Sequence, residues 1–269
     1  MASRHLLAPR RRTQPGTGCA WLPPAGGGIV DTMNTSTALV TGANTGIGKE
    51  IARQLAEAGL TVLVGARDPE RGRRAAAEIG HGARPLLVDV TDAAGVERAA
   101  AEVERLDVLV NNAGVMLDDG APGESTPDLF RRTYEVNLFG VLAVTNAFLP
   151  ALRRSTAPRI VNISSGTGSL GRSTGPDPVF DANGRGAAYR SSKAALNALT
   201  VFYAQSLAAE GFKVNALAPG LRRTGLNPRA AAADGDPAEG AAGAVRLALL
   251  PEDGPTAGFF DWDGTPVPW

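Results

Sequence analysis

The sequence predicts a single α/β domain built on a doubly wound parallel sheet of about seven strands, with helices on both faces. From Ser36 onward, short apolar runs rich in β-branched residues alternate with longer segments of helical period. That is the pattern of strands buried on both faces and joined by crossover helices. The first run, 37–40, leads through Thr41-Gly42-Ala43-Asn44-Thr45-Gly46-Ile47-Gly48 into an amphipathic stretch, 47–60, and so reads as strand, glycine turn and helix. A chain of 269 residues, 43% of them hydrophobic, is long enough for one large core.

In order along the chain, strands are expected at 37–41, 61–65, 84–88, 108–111, 159–164 and 213–218, with a short last one near 258–260. Helices are expected near 47–58, 69–79, 92–103, 127–154, 187–210 and 237–250. Residues 1–33 differ in kind: they hold Arg4, Arg10, Arg11 and Arg12, four prolines and no acid before Asp31. The prolines break any amphipathic face a transit peptide would need, so this piece reads as a disordered or artefactual extension, Met33 as an alternative start, and 34–269 as the domain. Two irregular stretches, 166–186 and 220–236, leave the carboxyl ends of strands, where open α/β sheets bind their ligands. Loops of that length in a compact domain read as lids or as disorder.

Composition narrows the partners. Lys plus Arg (27) equals Asp plus Glu (27), which removes the electrostatic case for nucleic acid or for a polybasic membrane contact. No run of about 18 apolar residues stands out as a membrane span. The single cysteine, Cys19, has no internal disulfide partner, and with only His5 and His81 no histidine–cysteine metal site can be assembled. The expectation is a cytoplasmic protein, in a reducing compartment, acting on a small molecule without a metal.

The chemistry is expected at four places. Three glycines, Gly42, Gly46 and Gly48, allow a tight turn, bring backbone N–H groups against a pyrophosphate and let helix pack on strand; an ordinary glycine loop is the competing reading. Tyr189 and Lys193, at i and i+4, share one helix face. With three tyrosines and three lysines in the chain, such a spacing arises by chance about 3% of the time. At about 4 Å and an effective dielectric near 20 the ammonium would favour phenolate by roughly 4 kcal/mol, bringing the phenol toward neutrality as a general acid/base. Ser164-Ser165 ends the fifth strand and Asn111-Asn112-Ala113-Gly114 the fourth; each is turn chemistry, or a hydroxyl beside Tyr189 holding a carbonyl oxygen while hydride arrives from a nicotinamide. Asn137, set among apolar neighbours in a helix, is a satisfied core amide or part of the site. At the tip of the second strand Arg67 stands where an NAD site places a carboxylate, Arg71 follows four residues later, and Asp68 reads as the cap of a helix opening at Pro69. Together these favour NADP(H) over NAD(H).

These residues resemble the short-chain dehydrogenase/reductases, in the branch with Thr-Gly-x-x-x-Gly-x-Gly, Asn-Asn-Ala-Gly and Tyr-x-x-x-Lys, over about 39–220. The resemblance implies a Rossmann-type sheet of seven strands with three helices on each face. It implies that Gly42, Gly46, Ile47 and Gly48, within the turn that also carries Asn44 and Thr45, contact a pyrophosphate. Asp89 and Val90 would flank the adenine, and Asn112, Ala113 and Gly114 would lie beside the adenosine ribose. Pro219, Gly220 and Thr224 match the segment under the nicotinamide carboxamide. The catalytic set carries over as Asn137, Ser165, Tyr189 and Lys193: Tyr189 moves the proton, Ser165 holds the carbonyl, Lys193 binds the nicotinamide ribose and lowers the tyrosine pKa, and Asn137 places a relay water.

The chain also departs from the family pattern. Tyr189 follows Ser165 by 24 residues, about twice the usual spacing, so 166–186 reads as an insertion; carbonyl-reductase-like members carry one and also resemble this C-terminus. Arg222 and Arg223 replace largely apolar residues, and read as a solvated lid or as a reader of a substrate carboxylate or phosphate. The function expected is NADPH-dependent reduction of an aldehyde or ketone. A ketoacyl reductase of fatty-acid or polyketide synthesis and a non-catalytic NADP(H)-binding regulator are the alternatives. Substrate, direction and oligomeric state stay open.

Overall fold

A computed structural model describes residues 36–174 and 183–269; the N-terminal extension and the middle of the insertion lie outside these. Seven parallel strands form one sheet in the order β3-β2-β1-β4-β5-β6-β7: β1 Thr37–Val40, β2 Thr61–Ala66, β3 Arg84–Leu87, β4 Val108–Asn111, β5 Arg159–Ile163, β6 Lys213–Ala218 and β7 Phe259–Asp261. After β3 the chain returns past β1 to lay β4 on its other side. The carboxyl ends of β1 and β4 therefore open on a topological switch point.

Successive strand residues point to opposite faces, which is why two cores form. Val40, Val62, Val64, Val110 and Val161 pack against Ile51 and Leu55 of α1 (Gly46–Glu57), Ala76 of α2 (Pro69–Ile79) and Ala244 of α9 (Pro237–Ala248). Leu39, Leu109, Ile160 and Val214 face the other way, onto Val96 of α3 (Ala93–Ala101), Phe148 of α5 (Gly140–Leu152) and Tyr203 of α7 (Ala187–Ser206). Asp68 caps α2, accepting from the N–H groups of Glu70 (2.9 Å) and Arg71 (3.0 Å), with Pro69 at the first helical position, as its sequence predicts.

The helix expected at 127–154 is not uniform. It runs as α4 (Pro127–Tyr134), a π-helical turn at Glu135–Phe139 and then α5. The polar residue at its centre, Asn137, turns its side chain away to bond with the segment after β4, and one wider turn accommodates it. Pro127–Leu152 is long enough, and over an 18-residue window with a mean hydropathy of 1.4 apolar enough, to meet the measure of a membrane span, which the sequence reading did not anticipate. Its residues Val141, Val144, Phe148 and Leu152 are buried in the core, so the apolarity has a structural cause. The start of the insertion folds too, into a 3₁₀ turn at Gly166–Gly168 and α6 (Leu170–Thr174), and the lid carries α8 (Pro228–Ala231).

Candidate active site

The glycine turn is fixed from the β4 side. Thr41 Oγ1 accepts from the N–H groups of Asn112 (3.0 Å) and Ala113 (3.0 Å), and Asn112 Nδ2 donates to the carbonyls of Thr41 (2.9 Å) and Gly42 (3.3 Å). Asn112 thereby ties the turn to β4. Gly42 has a φ of +63°, a conformation open to glycine, and a Cβ on Gly48 would lie 2.2 Å from Asn112 Nδ2. Both positions require their glycine. Thr45, at the N-cap of α1, makes no side-chain cap, so the first N–H groups of the helix face the turn, as an anion site requires. Asn44, Gly46 and Ile47 complete this cradle, and Thr224 of the lid approaches within 3.4 Å of where a Cβ on Gly46 would stand. A cavity of about 410 Å³ adjoins it, lined among others by Thr45, Gly46, Lys49, Arg223 and Thr224. The residues present thus fit a dinucleotide pyrophosphate.

Along the edge of the sheet the other expected residues follow. Arg67 is exposed at the tip of β2 and has no ion-pair partner among the described residues. Arg71 is exposed, its Nε 3.6 Å from Asp68 Oδ2. Asp89 accepts from the N–H and hydroxyl of Thr91, and Val90 packs on the start of α5 at Gly140. Gly220 follows Pro219 at the end of β6, beside Trp262 and Arg222. Arg222 is not part of a solvated lid: it is 8% exposed, stacked on the Trp262 ring at 4.4 Å and paired through Nη1 with Glu239 at 3.3 Å, while its Nε and Nη2 are buried without a hydrogen-bond partner among the described residues. Arg223 is the exposed one of the two.

The residues expected to be catalytic converge on α7. The Tyr189 hydroxyl faces Ser165, which acts to lower its pKa, opens the 3₁₀ turn after β5 and meets Thr167 Oγ1 at 2.9 Å. Lys193 is 4% exposed, donates to the carbonyl of Ile163 (2.8 Å) and sits 5.7 Å from the Tyr189 ring centroid. Asn137, fully buried, accepts from Val115 N (2.9 Å) and donates through Nδ2 to Val115 O (2.9 Å) and Ser192 Oγ (3.0 Å). Ser192 in turn donates to Tyr189 O (2.7 Å). A Cβ on Gly114 would stand 3.3 Å from Asn137 Oδ1 and 3.5 Å from Lys193 Nζ; the Asn-Asn-Ala-Gly segment, the π turn and α7 therefore meet at one point.

The electrostatics differ from the sequence reading. Burial pushes the Tyr189 phenol up, against a smaller lowering from Ser165, and burial lowers Lys193 to about 8. The ammonium is directed at a backbone carbonyl and lies under the ring, so the direct charge–phenol contact expected from the spacing is replaced by desolvation of both groups. Three residues that help hold this arrangement were given no such holding role by the sequence. Ser192 is hidden among the serines of Tyr189-Arg190-Ser191-Ser192-Lys193. Ser164 donates to Asn197 Oδ1 (2.6 Å), joining β5 to α7. Asp118, in the segment after β4, accepts from the backbone of Ala188 and Tyr189.

This fold and this constellation define an oxidoreductase with a Rossmann-type cofactor domain. A family model described as short chain dehydrogenase matches residues 36–234, and the chain belongs to the short-chain dehydrogenase/reductase family. It is 33% identical to salutaridine reductase of Papaver bracteatum, over 83% of this chain and 93% of that protein. It is 32% identical to (+)-neomenthol dehydrogenase of Arabidopsis thaliana, over 83% and 94%. The structure of NADPH-bound carbonyl reductase from chicken fatty liver superposes with a TM-score of 0.76 at 27% identity, covering 88% of this chain and 100% of that one.

Proposed function

We propose that the protein reduces an aldehyde or ketone with NADPH, reversibly, with Tyr189 as the general acid. The observation that carries this reading is the meeting of Tyr189, Ser165 and Lys193 at the carboxyl end of β5. When bound, the nicotinamide supplies hydride. The chain's own part is to hold the carbonyl and deliver the proton. A phenol kept protonated by burial is a donor at neutral pH, and Ser165 offers a second hydroxyl to the same oxygen. Lys193, charged below about pH 8, lies under the ring and favours loss of the phenolic proton as the alcohol forms.

NADPH is favoured by what stands at the tip of β2. The carboxylate there, Asp68, is bonded into the first turn of α2, while Arg67 is exposed beside it; a 2′-phosphate meets a cation and a carboxylate already bound elsewhere. The names of the relatives point to ketone and alcohol chemistry as well. The test is turnover of a panel of carbonyl compounds. Tyr189→Phe should lower kcat at least about 10²-fold and leave NADPH affinity within about twofold, and the unmodified protein should prefer NADPH over NADH at least about tenfold in kcat/KM. A variant keeping more than about a third of wild-type kcat, or equal use of the two cofactors, would overturn the corresponding assignment.

A further inference from the structure

The helix that carries Tyr189 and Lys193 begins at a residue without a side chain. Gly186 occupies the N-cap of α7 in the left-handed region, φ 69° and ψ 35°, and provides no cap. The leading N–H groups of a 20-residue helix then need partners from elsewhere. Asp118 provides them: its Oδ2 accepts from Ala188 N at 2.8 Å and its Oδ1 from Tyr189 N at 3.2 Å, in a position 7% exposed. A carboxylate suits the positive end of the helix dipole, and bonds to an ionised acceptor are the stronger kind. The neighbouring Arg185 pairs with Asp119, at 3.7 Å, and among the described residues no cation pairs with Asp118. Its charge is directed wholly at the start of α7.

Asp118 belongs to a segment, 115–120, that is bonded to three parts of the site. Val115 is held by both polar atoms of the Asn137 side chain. Met116 Sδ accepts from Asn227 Nδ2 of the lid at 2.8 Å. Gly120 O accepts from Gly186 N at 3.0 Å. The first turn of a helix is where it frays most readily, and Tyr189 is the third residue of α7. We infer that Asp118 is a positioning residue, which sets the first turn of α7, and with it the Tyr189 side chain, against the strap that joins Asn137 to the lid. This inference rests on Tyr189 being the general acid. It goes beyond a stabilising cap because the N–H that Asp118 holds is that of the reacting residue itself.

Asp118→Asn, Asp118→Ala, Tyr189→Phe and the double variant Asp118→Asn/Tyr189→Phe separate the possibilities. Asparagine keeps one acceptor oxygen, so Asp118→Asn should lower kcat about tenfold and Asp118→Ala about 10²-fold, the scale of a misplacement near 1 Å. NADPH affinity should stay within about twofold in both, and Asp118→Asn should change nothing further once Tyr189 is phenylalanine. A folded Asp118→Ala with wild-type kcat, whatever its Tm, overturns the inference; where the alanine variant does not fold, Asp118→Asn with wild-type kcat does the same. Parallel loss of kcat and NADPH affinity also overturns it, since that is a lesion of the fold. Wild-type kcat in Tyr189→Phe would refute the general-acid reading itself, whereas an inactive Tyr189→Phe beside a fully active Asp118→Ala refutes only the positioning role.

Discussion

Lys193 shows at the scale of one residue what the site costs the cofactor-free fold. Its ammonium is buried and donates to the Ile163 carbonyl, and burial lowers its pKa from 10.5 to about 8. That change corresponds to about 3 kcal/mol against the charged form. Below pH 8 both folded and unfolded chains hold the proton and the full cost is felt. Between about 8 and 10.5 the unfolded chain holds it and the folded chain does not, so stability rises with pH across that window. The Tyr189 phenol, pushed up by burial, opposes this effect only where the unfolded tyrosine ionises, around pH 10, and so takes little from the gain at lower pH. The cofactor-free protein should therefore gain about 2 kcal/mol between pH 7.5 and 9.5 through this group, and Lys193→Met should remove that gain. Urea unfolding at the two pH values in both proteins measures it; parallel pH dependences would show that Lys193 keeps an ordinary pKa.

At the scale of elements, the glycine turn and the π turn are the two joints that bring β4 to the site, and they were not equally legible. The turn was visible because its glycines are themselves the signal: a strand, three spaced glycines and a helix admit few other structures. Gly48→Ala would place a Cβ 2.2 Å from Asn112 Nδ2 and 2.6 Å from Gly42 O. Backbone crowds it on one side, so Asn112 must give way and the turn with it. NADPH affinity should fall at least about tenfold, with Tm falling by a few degrees; unchanged affinity by fluorescence titration would show that the turn does not hold the pyrophosphate. The π turn was not legible, because helical periodicity over 127–154 continues through it and only the partner of Asn137, the backbone of Val115, reveals why one turn widens. The strands and most helices were otherwise readable from apolar spacing to within a residue or two, but α7 ends at Ser206 rather than at 210, and α6 and α8 fold within stretches read as irregular. Asp118 was not, since sequence shows an acidic pair in a loop but not that one member reaches a helix start 70 residues away. Arg222 misled for a related reason: arginine reads as surface until Trp262 and Glu239 are placed around it.

At the scale of the whole molecule, the two halves of the chain bring different parts to the candidate site, although Arg223 and Thr224 of the second half also line the cavity beside the glycine turn. The glycine turn, the tip of β2 and the segment after β4 come from the first half. The second half supplies Ser165, α7, the start of the insertion, the lid and the C-terminal segment. The insertion is fastened to that last segment. Arg172 pairs with Asp261, Nη1 to Oδ1 at 3.1 Å, Gly171 N donates to Trp269 O at 2.9 Å, and Ser169 Oγ donates to Pro268 O. Trp269 stacks on Phe259 of β7 with ring centroids 5.4 Å apart. On its other side, Ser173 Oγ accepts from Arg190 Nη2 in the first turn of α7 at 3.0 Å. The segment that begins at Ser165 is thus clamped between β7 and α7, and among the described residues none of its hydrogen bonds reaches the glycine turn or β2. Loosening the clamp should disturb the carbonyl more than the cofactor. Arg172→Ala and Trp269→Ala should each raise KM for a carbonyl substrate about fivefold, near 1 kcal/mol, and leave NADPH affinity within about twofold. Equal losses on both sides, measured by steady-state kinetics and cofactor titration, would mean that the clamp holds the sheet together and has no share in shaping the substrate side.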